Sequence, residues 1–265
     1  PRVYARDQHP VRASQVSHGA RTVTRRLQDA GFKAFVVGGA VRDLMLGIEP
    51  KDFDIATDAR PEQVKPLFRR AYVIGRRFRL VHVHVGAEVV EVSTFRAANA
   101  GGDATDEHGR LLSDNVYGTQ AEDAARRDFT VNALYFDPST EEVWDFVGGV
   151  TDVRARRMKL IGPPVTRYRE DPVRMLRAVR LAAKLGCTIE KRTAEPIPRL
   201  ADLIRNVPAA RLFDEMQKLL LSGHATETLA SLRTHGLHHA LLPLIDVILE
   251  QPRGQRGIEA ALANT

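Results

Sequence analysis

Apolar and polar positions recur along this chain with two different periods, and the change of period marks where sheet gives way to helix. Val16, Ala20, Val23, Leu27 and Ala30 fall at helical spacing after Ser14 until Gly31 stops the pattern, which predicts an amphipathic helix lying over a sheet. Ala34-Phe35-Val36-Val37 is a short apolar run of strand type. It passes through Gly38-Gly39 into a helical stretch from Ala40 to Leu46, closed by Gly47, and Asp52-Phe53-Asp54 opens the next strand. Asp58 to Glu62 starts another helix with Pro61 in its first turn. Val81 to Val85 alternates, Gly86-Ala87 turns and Val89 to Phe95 returns, as in a hairpin. Val143 to Phe146 closes the sheet. From Leu160 to Pro164 a linker intervenes, and the period beyond it is helical.

On one face of the helix that opens at Pro172 lie Met175, Leu176, Val179, Ala182 and Ala183; Arg174, Arg177, Arg180 and Lys184 gather on the other. Further helices begin at Glu195 and at Pro208, the latter running through Met216 and Leu219 to Gly223. The pattern predicts an α+β head with a mixed sheet over residues 14–155, a helical neck over 156–222 and the start of a helical body over 223–265. Residues 1–13 have no period and read as a solvated arm.

Chemistry concentrates in three stretches. At Gly38-Gly39, glycine lets backbone approach a ligand, and the following helix start offers N–H groups to an anion; Arg42 would add a grip on the same phosphate. A Gly-Gly turn is equally an ordinary tight connection, and the stretch matches neither the dinucleotide fingerprint nor the Walker loop. Asp52 and Asp54 alter the balance. At i and i+2 on a strand both project to one face with Phe53 turned to the core, and two such carboxylates repel unless a cation lies between them. Hard oxygen ligands suit magnesium held jointly with substrate phosphates. A third carboxylate is wanted on a neighbouring strand, and Glu91, flanked by Val90 and Val92, fits; Glu88 at the turn is expected to be solvated.

The second stretch, Glu122 to Leu134, sets Arg126 and Arg127 before Asp128 and Asn132, mixing donors for a triphosphate with groups able to bond ribose hydroxyls. A structural ion-pair cluster would use the same residues. In the third, Pro172 suits the first helical position and Asp171 the cap before it.

These motifs, in order, resemble the class II nucleotidyltransferases, the group of the tRNA CCA-adding enzymes and bacterial poly(A) polymerases. The segments are Gly38-Gly39-Ala40-Val41-Arg42-Asp43, Asp52-Phe53-Asp54, Glu91-Val92-Ser93-Thr94-Phe95-Arg96, Arg126 to Leu134, and Glu170-Asp171-Pro172-Val173-Arg174. The resemblance, over about residues 14 to 245, implies a DNA polymerase beta-like nucleotidyltransferase head followed by an all-helical neck and body. It implies that Asp52 and Asp54 bridge two magnesium ions about 4 Å apart, with Glu91 completing a shell or accepting a proton. It assigns Gly38, Gly39 and Arg42 to the triphosphate, Arg127 and Asp128, with Asn132 nearby, to sugar and phosphates, and Asp171 and Arg174, joined by Arg177, to the nucleotide base. Leu160 to Ala178 is more similar to the poly(A) polymerase neck than to the CCA-adding one; Leu181 departs from it, an aromatic being usual there. ATP as substrate and single-stranded RNA 3′ ends as partner follow. The alternatives are CCA addition to tRNA, which shares every catalytic residue, and a non-catalytic RNA-binding module, which has no need of Asp-x-Asp.

Composition adds limits. The 265 residues carry 39 Lys and Arg against 33 Asp and Glu, a net charge of +6 and a pI near 9.7, which favours a polyanionic partner. The single cysteine, Cys187, excludes an internal disulfide framework. No membrane span or signal pattern is expected, hence a cytoplasmic protein. Pro1 in place of Met, and an end at Thr265 without terminal character, read as a fragment. Arg76, Arg77 and Arg79 around Phe78 suggest a rim for triphosphate or RNA, and residues 97–118 a mobile loop able to gate the site. His235, His238 and His239 lack the spacing and carboxylate partner of a metal site.

Overall fold

The computed structural model describes residues 1–75, 79–97 and 116–241. The expectations for Arg76, Arg77 and Phe78, for residues 98–115 of the gating loop, and for the body beyond Leu241 lie outside the described residues. The chain divides into two compact units, Pro1–Ala155 and Arg156–Thr265.

The first unit is built on an eight-stranded sheet of order β1-β8-β7-β2-β3-β6-β5-β4. Its strands are β1 (Arg2–Tyr4), β2 (Ala34–Val37), β3 (Asp54–Thr57), β4 (Ala71–Ile74), β5 (Leu80–Val85), β6 (Glu88–Thr94), β7 (Leu134–Asp137) and β8 (Glu142–Asp145). Every neighbouring pair is antiparallel except β3 with β6, which run parallel, so the sheet is mixed. The helices are α1 (His18–Asp29), α2 (Gly39–Met45), α3 (Pro61–Val64), α4 (Gln120–Arg126) and α5 (Gly149–Arg154). Helix α1 buries Ala20, Val23 and Leu27 of the predicted stripe, but it starts later than expected: Val16 is buried ahead of the helix, and Ala30, its C-cap, is exposed. The hairpin of β5 and β6 turns at Gly86.

Two expectations fail here. Residues 1–13 are no solvated arm: β1 pairs with β8, Tyr4 and Val11 are buried, and β1 rather than β8 is the sheet edge. A three-residue strand has too few positions to show an alternation, and its pairing depends on a partner about 140 residues away. Glu88 is not simply solvated either. It accepts hydrogen bonds from the Ser17 hydroxyl and from the Gly19 N–H at 2.8 Å, reinforcing the start of α1 where its negative charge meets the positive helix end.

At the far end of β8, buried Asp145 organises the entry to α5. Its Oδ1 accepts from the N–H groups of Val147, Gly148 and Gly149 at 3.0, 2.8 and 3.0 Å, and its Oδ2 from Val150 at 3.0 Å. Gly149 must be glycine, because a Cβ there would lie 2.2 Å from the carbonyl oxygen of Thr130.

In the second unit, two short parallel strands, β9 (Arg157–Met158) and β10 (Thr188–Ile189), accompany helices α6 (Pro164–Glu170), α7 (Val173–Leu185), α8 (Lys191–Ala194), α9 (Ile197–Leu200), α10 (Ala209–Leu220), α11 (Ala225–Thr234) and α12 (His238–Leu241). Met175, Leu176, Val179 and Ala182 on the apolar face of α7 are buried as its spacing predicts, and Ala183 is half-buried. Its basic face is not uniformly solvated: Arg180 is buried, donating from Nε to Glu215 on α10 at 3.0 Å, with Arg177 3.8 Å from the same carboxylate. A buried charge needs a buried partner, and Glu215 supplies it. Leu181 is buried as well. No described helix is long and apolar enough to cross a membrane.

Candidate active site

The parallel pairing of β3 with β6 sets the site. Its register places Asp54 directly opposite Glu91, on strands about 4.8 Å apart. Val90 and Val92 are fully buried on the other face, so a one-residue slip would bury Glu91 and expose two valines; the core enforces the register. Asp52 precedes β3 and Asp54 begins it, both exposed at the sheet's end, while Phe53 between them is half-buried and not the full core residue expected. Although Asp54 reaches solvent, the protein packed around its carboxyl strips away part of its hydration; this desolvation, then the charges of Glu91 and Asp52, push the carboxyl up to about 6 against the counteracting pull of Arg127. On the next strand His82 faces Glu91 in register, its Nε2 3.6 Å from the carboxylate, an ion pair when the imidazole is protonated.

Beside the carboxylates, β2 ends in Gly38, whose φ of 72° and ψ of −131° suit glycine and start α2. A Cβ on Gly38 would meet Arg127 Nη1 at 3.4 Å and Asn132 O at 3.7 Å, which places the second stretch against the turn. Arg42 is buried. Its Nε and Nη2 donate to Asp43 at 2.8 and 2.6 Å and its Nη1 to Asn132 Oδ1 at 2.6 Å. Asn132 in turn donates to Asp128 at 3.1 Å, and Asp128 also accepts from the Phe129 N–H at 2.7 Å. Arg127 donates from Nε and Nη2 to Asp123 at 3.1 and 3.0 Å and lies over the Tyr135 ring. Burial opposes the charge on Arg127, but Tyr135 and Asp123 outweigh it and hold its pKa above the ordinary value. Ser93, Arg96, Asp123, Arg126 and Arg127 line a cleft of about 260 Å³.

Gly38, Gly39, Arg42, Asp52, Asp54, Glu91, Arg127, Asp128 and Asn132 are thus all carried by the first unit. Asp171, Arg174 and Arg177 belong to the second. Asp171 does not cap α7 from the expected position: it closes α6, Pro172 takes the cap place, and Asp171 Oδ1 accepts from the Val173 N–H at 3.3 Å. Its Oδ2 pairs with Arg211 of α10 at 3.0 Å. Arg174 donates from Nη1 to the Arg167 carbonyl at 2.8 Å and to Glu170 at 3.0 Å.

His82, Asp123 and Tyr135 escaped the sequence reading. His82 sits in the alternation of β5, and only its register with Glu91 gives it meaning; Tyr135 reads as an ordinary strand aromatic. Among the described residues no three His, Cys, Asp or Glu side chains close into a ready metal cage. Magnesium does not require one, since one or two carboxylates and substrate phosphates hold it. Asp52, Asp54 and Glu91 fit such an ion: all are hard oxygen donors, and their mutual repulsion is what a cation relieves.

Comparison with known proteins places the chain as a whole. Residues 34–159 match the model of the poly A polymerase head domain, and residues 186–249 that of a probable RNA- and SrmB-binding site of polymerase A. Poly(A) polymerase I of Salmonella typhi is 50% identical over 249 residues, which are 92% of this chain and 54% of that protein. Poly(A) polymerase I of Haemophilus influenzae is 47% identical over 277 residues, 98% of this chain and 61% of that one. The chain therefore spans little more than half the length of these relatives. The crystal structure of the Bacillus stearothermophilus CCA-adding enzyme in complex with CTP superimposes with a TM-score of 0.73 at 35% identity, covering 84% of this chain and 53% of that one. With a mixed nucleotidyltransferase sheet, carboxylates abreast at its end and both polymerase models matched in order, this chain belongs to the poly A polymerase head-domain family.

Proposed function

We propose that this chain is the catalytic portion of a template-independent polynucleotide adenylyltransferase, which transfers AMP from ATP to the 3′-hydroxyl of RNA and releases diphosphate. The observation that carries the reading is the in-register pairing of Asp54 with Glu91 beside Asp52 and the Gly38 turn. Asp52 and Asp54 would hold magnesium, with Glu91 in support; two bound ions supply activation of the attacking hydroxyl and neutralisation of the leaving diphosphate.

The remaining work falls to the chain itself. The Gly38-Gly39 backbone, unobstructed by side chains, admits the phosphates, and Arg42 shapes that turn from behind through Asp43 and Asn132. Arg127 offers a fixed positive charge to the triphosphate, and Asp128 with Asn132 takes the ribose hydroxyls. Glu91, directly across the strand pair from Asp54, is placed to accept the proton of the attacking hydroxyl. Asp171 and Arg174, with Arg177, read the adenine edge. The polymerase relatives at about half identity support ATP as the nucleotide, and the RNA-binding match supports RNA as the acceptor.

Extension by the full-length protein tests this, using a generic RNA and a tRNA lacking its CCA end, each with ATP or CTP alone and magnesium. A long ladder on generic RNA with ATP, and little with CTP, is expected. Addition of two C residues to the tRNA, stopping there, would transfer the assignment to CCA addition. No extension on either acceptor would overturn catalysis in favour of RNA binding alone.

A further inference from the structure

Arg127 is a long side chain, and the rotamer freedom it gives up opposes its being held in one place. The structure shows what holds it. Asp123, buried on α4, receives donors from three directions: Nε and Nη2 of Arg127 at 3.1 and 3.0 Å, the hydroxyl of Tyr135 at 2.7 Å and the backbone N–H of Arg96 at 3.2 Å. The Tyr135 hydroxyl also accepts from Arg127 Nε at 3.2 Å. That hydroxyl is itself immobile, because the fully buried ring meets Phe35, Phe95 and Phe146 edge-on at 6.2, 6.2 and 5.8 Å between centroids. Tyr135 also pairs with Val37, the last residue before the Gly38 turn. Nη1 is the guanidinium nitrogen next to Gly38, and it donates to the Asn132 carbonyl at 3.5 Å.

We propose that Asp123 and Tyr135 are positioning residues for the nucleotide: an aromatic cluster fixes a hydroxyl, the hydroxyl and a buried carboxylate fix Arg127, and the triphosphate meets a cation already in place. The inference rests on the reading of Arg127 as a nucleotide-binding residue. Neither Asp123 nor Tyr135 needs to touch substrate. Their effect is to spare ATP the ordering of Arg127 on binding, so it falls on nucleotide affinity and not on the chemical step.

The test measures RNA extension by the full-length protein against ATP concentration, with melting temperatures recorded in parallel, for Tyr135→Phe, Asp123→Asn and Arg127→Ala. Tyr135→Phe keeps the ring and removes one hydroxyl; a roughly three- to tenfold rise in KM for ATP with kcat within about twofold is expected. Asp123→Asn keeps one acceptor oxygen and loses the charge, and its KM is expected to rise roughly ten- to a hundredfold. Arg127→Ala sets the ceiling. If Tyr135→Phe and Asp123→Asn bind ATP as the parent does while Arg127→Ala does not, positioning is overturned. A lowered melting temperature with unchanged KM, or a fall in kcat alone, overturns it equally. If Arg127→Ala itself leaves KM unmoved, the nucleotide-binding reading of Arg127 falls and takes the inference with it.

Discussion

Asp145 and Asp54 stand at strand ends of the same sheet and are opposites in how their charge is met. Asp145 is buried, and four backbone N–H groups at the entry to α5 converge on its two oxygens. Asp54 faces solvent among other carboxylates, with Arg127 as its opposing charge. The first is a structural joint whose two oxygens are met by backbone donors; the second sets carboxylates abreast, the arrangement that we propose holds magnesium. Density of charged residues along the sequence does not tell these apart, whereas the partners each carboxylate finds in the fold do.

The difference can be broken from either side. Asp54→Asn should reduce nucleotidyl transfer on the order of 10³-fold or more while leaving the fold intact. It should also change the pH dependence of stability in one direction. With its folded pKa raised to about 6, Asp54 stabilises the metal-free protein below pH 4, and that contribution is lost as pH rises through 6. The Asn variant should therefore melt at or above the parent at pH 8, measured by circular dichroism without divalent ions; a variant melting well below the parent there would make Asp54 a structural residue. Asp145→Ala should do the reverse, costing about 2–4 kcal/mol by urea titration through loss of charge-assisted bonds, with activity per folded molecule retained in the cold.

Asp171 lies between these extremes, one oxygen on the Val173 N–H and the other on a partly exposed Arg211. If it reads adenine, Arg211→Ala should relax the preference for ATP over CTP by roughly two- to fivefold, the scale of an exposed ion pair, measured as a ratio of kcat/KM values. An unchanged ratio would leave Arg211 with no part in base selection.

How much could be read beforehand follows from the range of each interaction. The Gly38 turn, Asp-x-Asp, the hairpin and the stripe of α1 depend on neighbours a few residues apart, where the periods of strand and helix speak directly. Glu91 was legible because the valines on either side of it declare which face is buried. Edge strand β1, the Glu88 bonds to α1, buried Arg180 on Glu215 and the Asp123-Tyr135 pair join residues from 12 to about 140 positions apart. Their sequences look like a tail, a turn, a basic face and a strand aromatic, and only the assembled sheet or helix pair reveals the partner.

The parallel step from β3 to β6 also has a bearing on how the molecule matures. Asp54 and Glu91 are 37 positions apart and meet only across that step, whereas β5 and β6 join through a two-residue turn. Local hairpins close ahead of distant parallel pairings, because closing the longer loop costs more entropy before any contact compensates for it. Folding kinetics should then show the hairpin protected from hydrogen exchange before the carboxylates come abreast. A growing chain would bring the carboxylates proposed for catalysis together late, after the surrounding scaffold is in place.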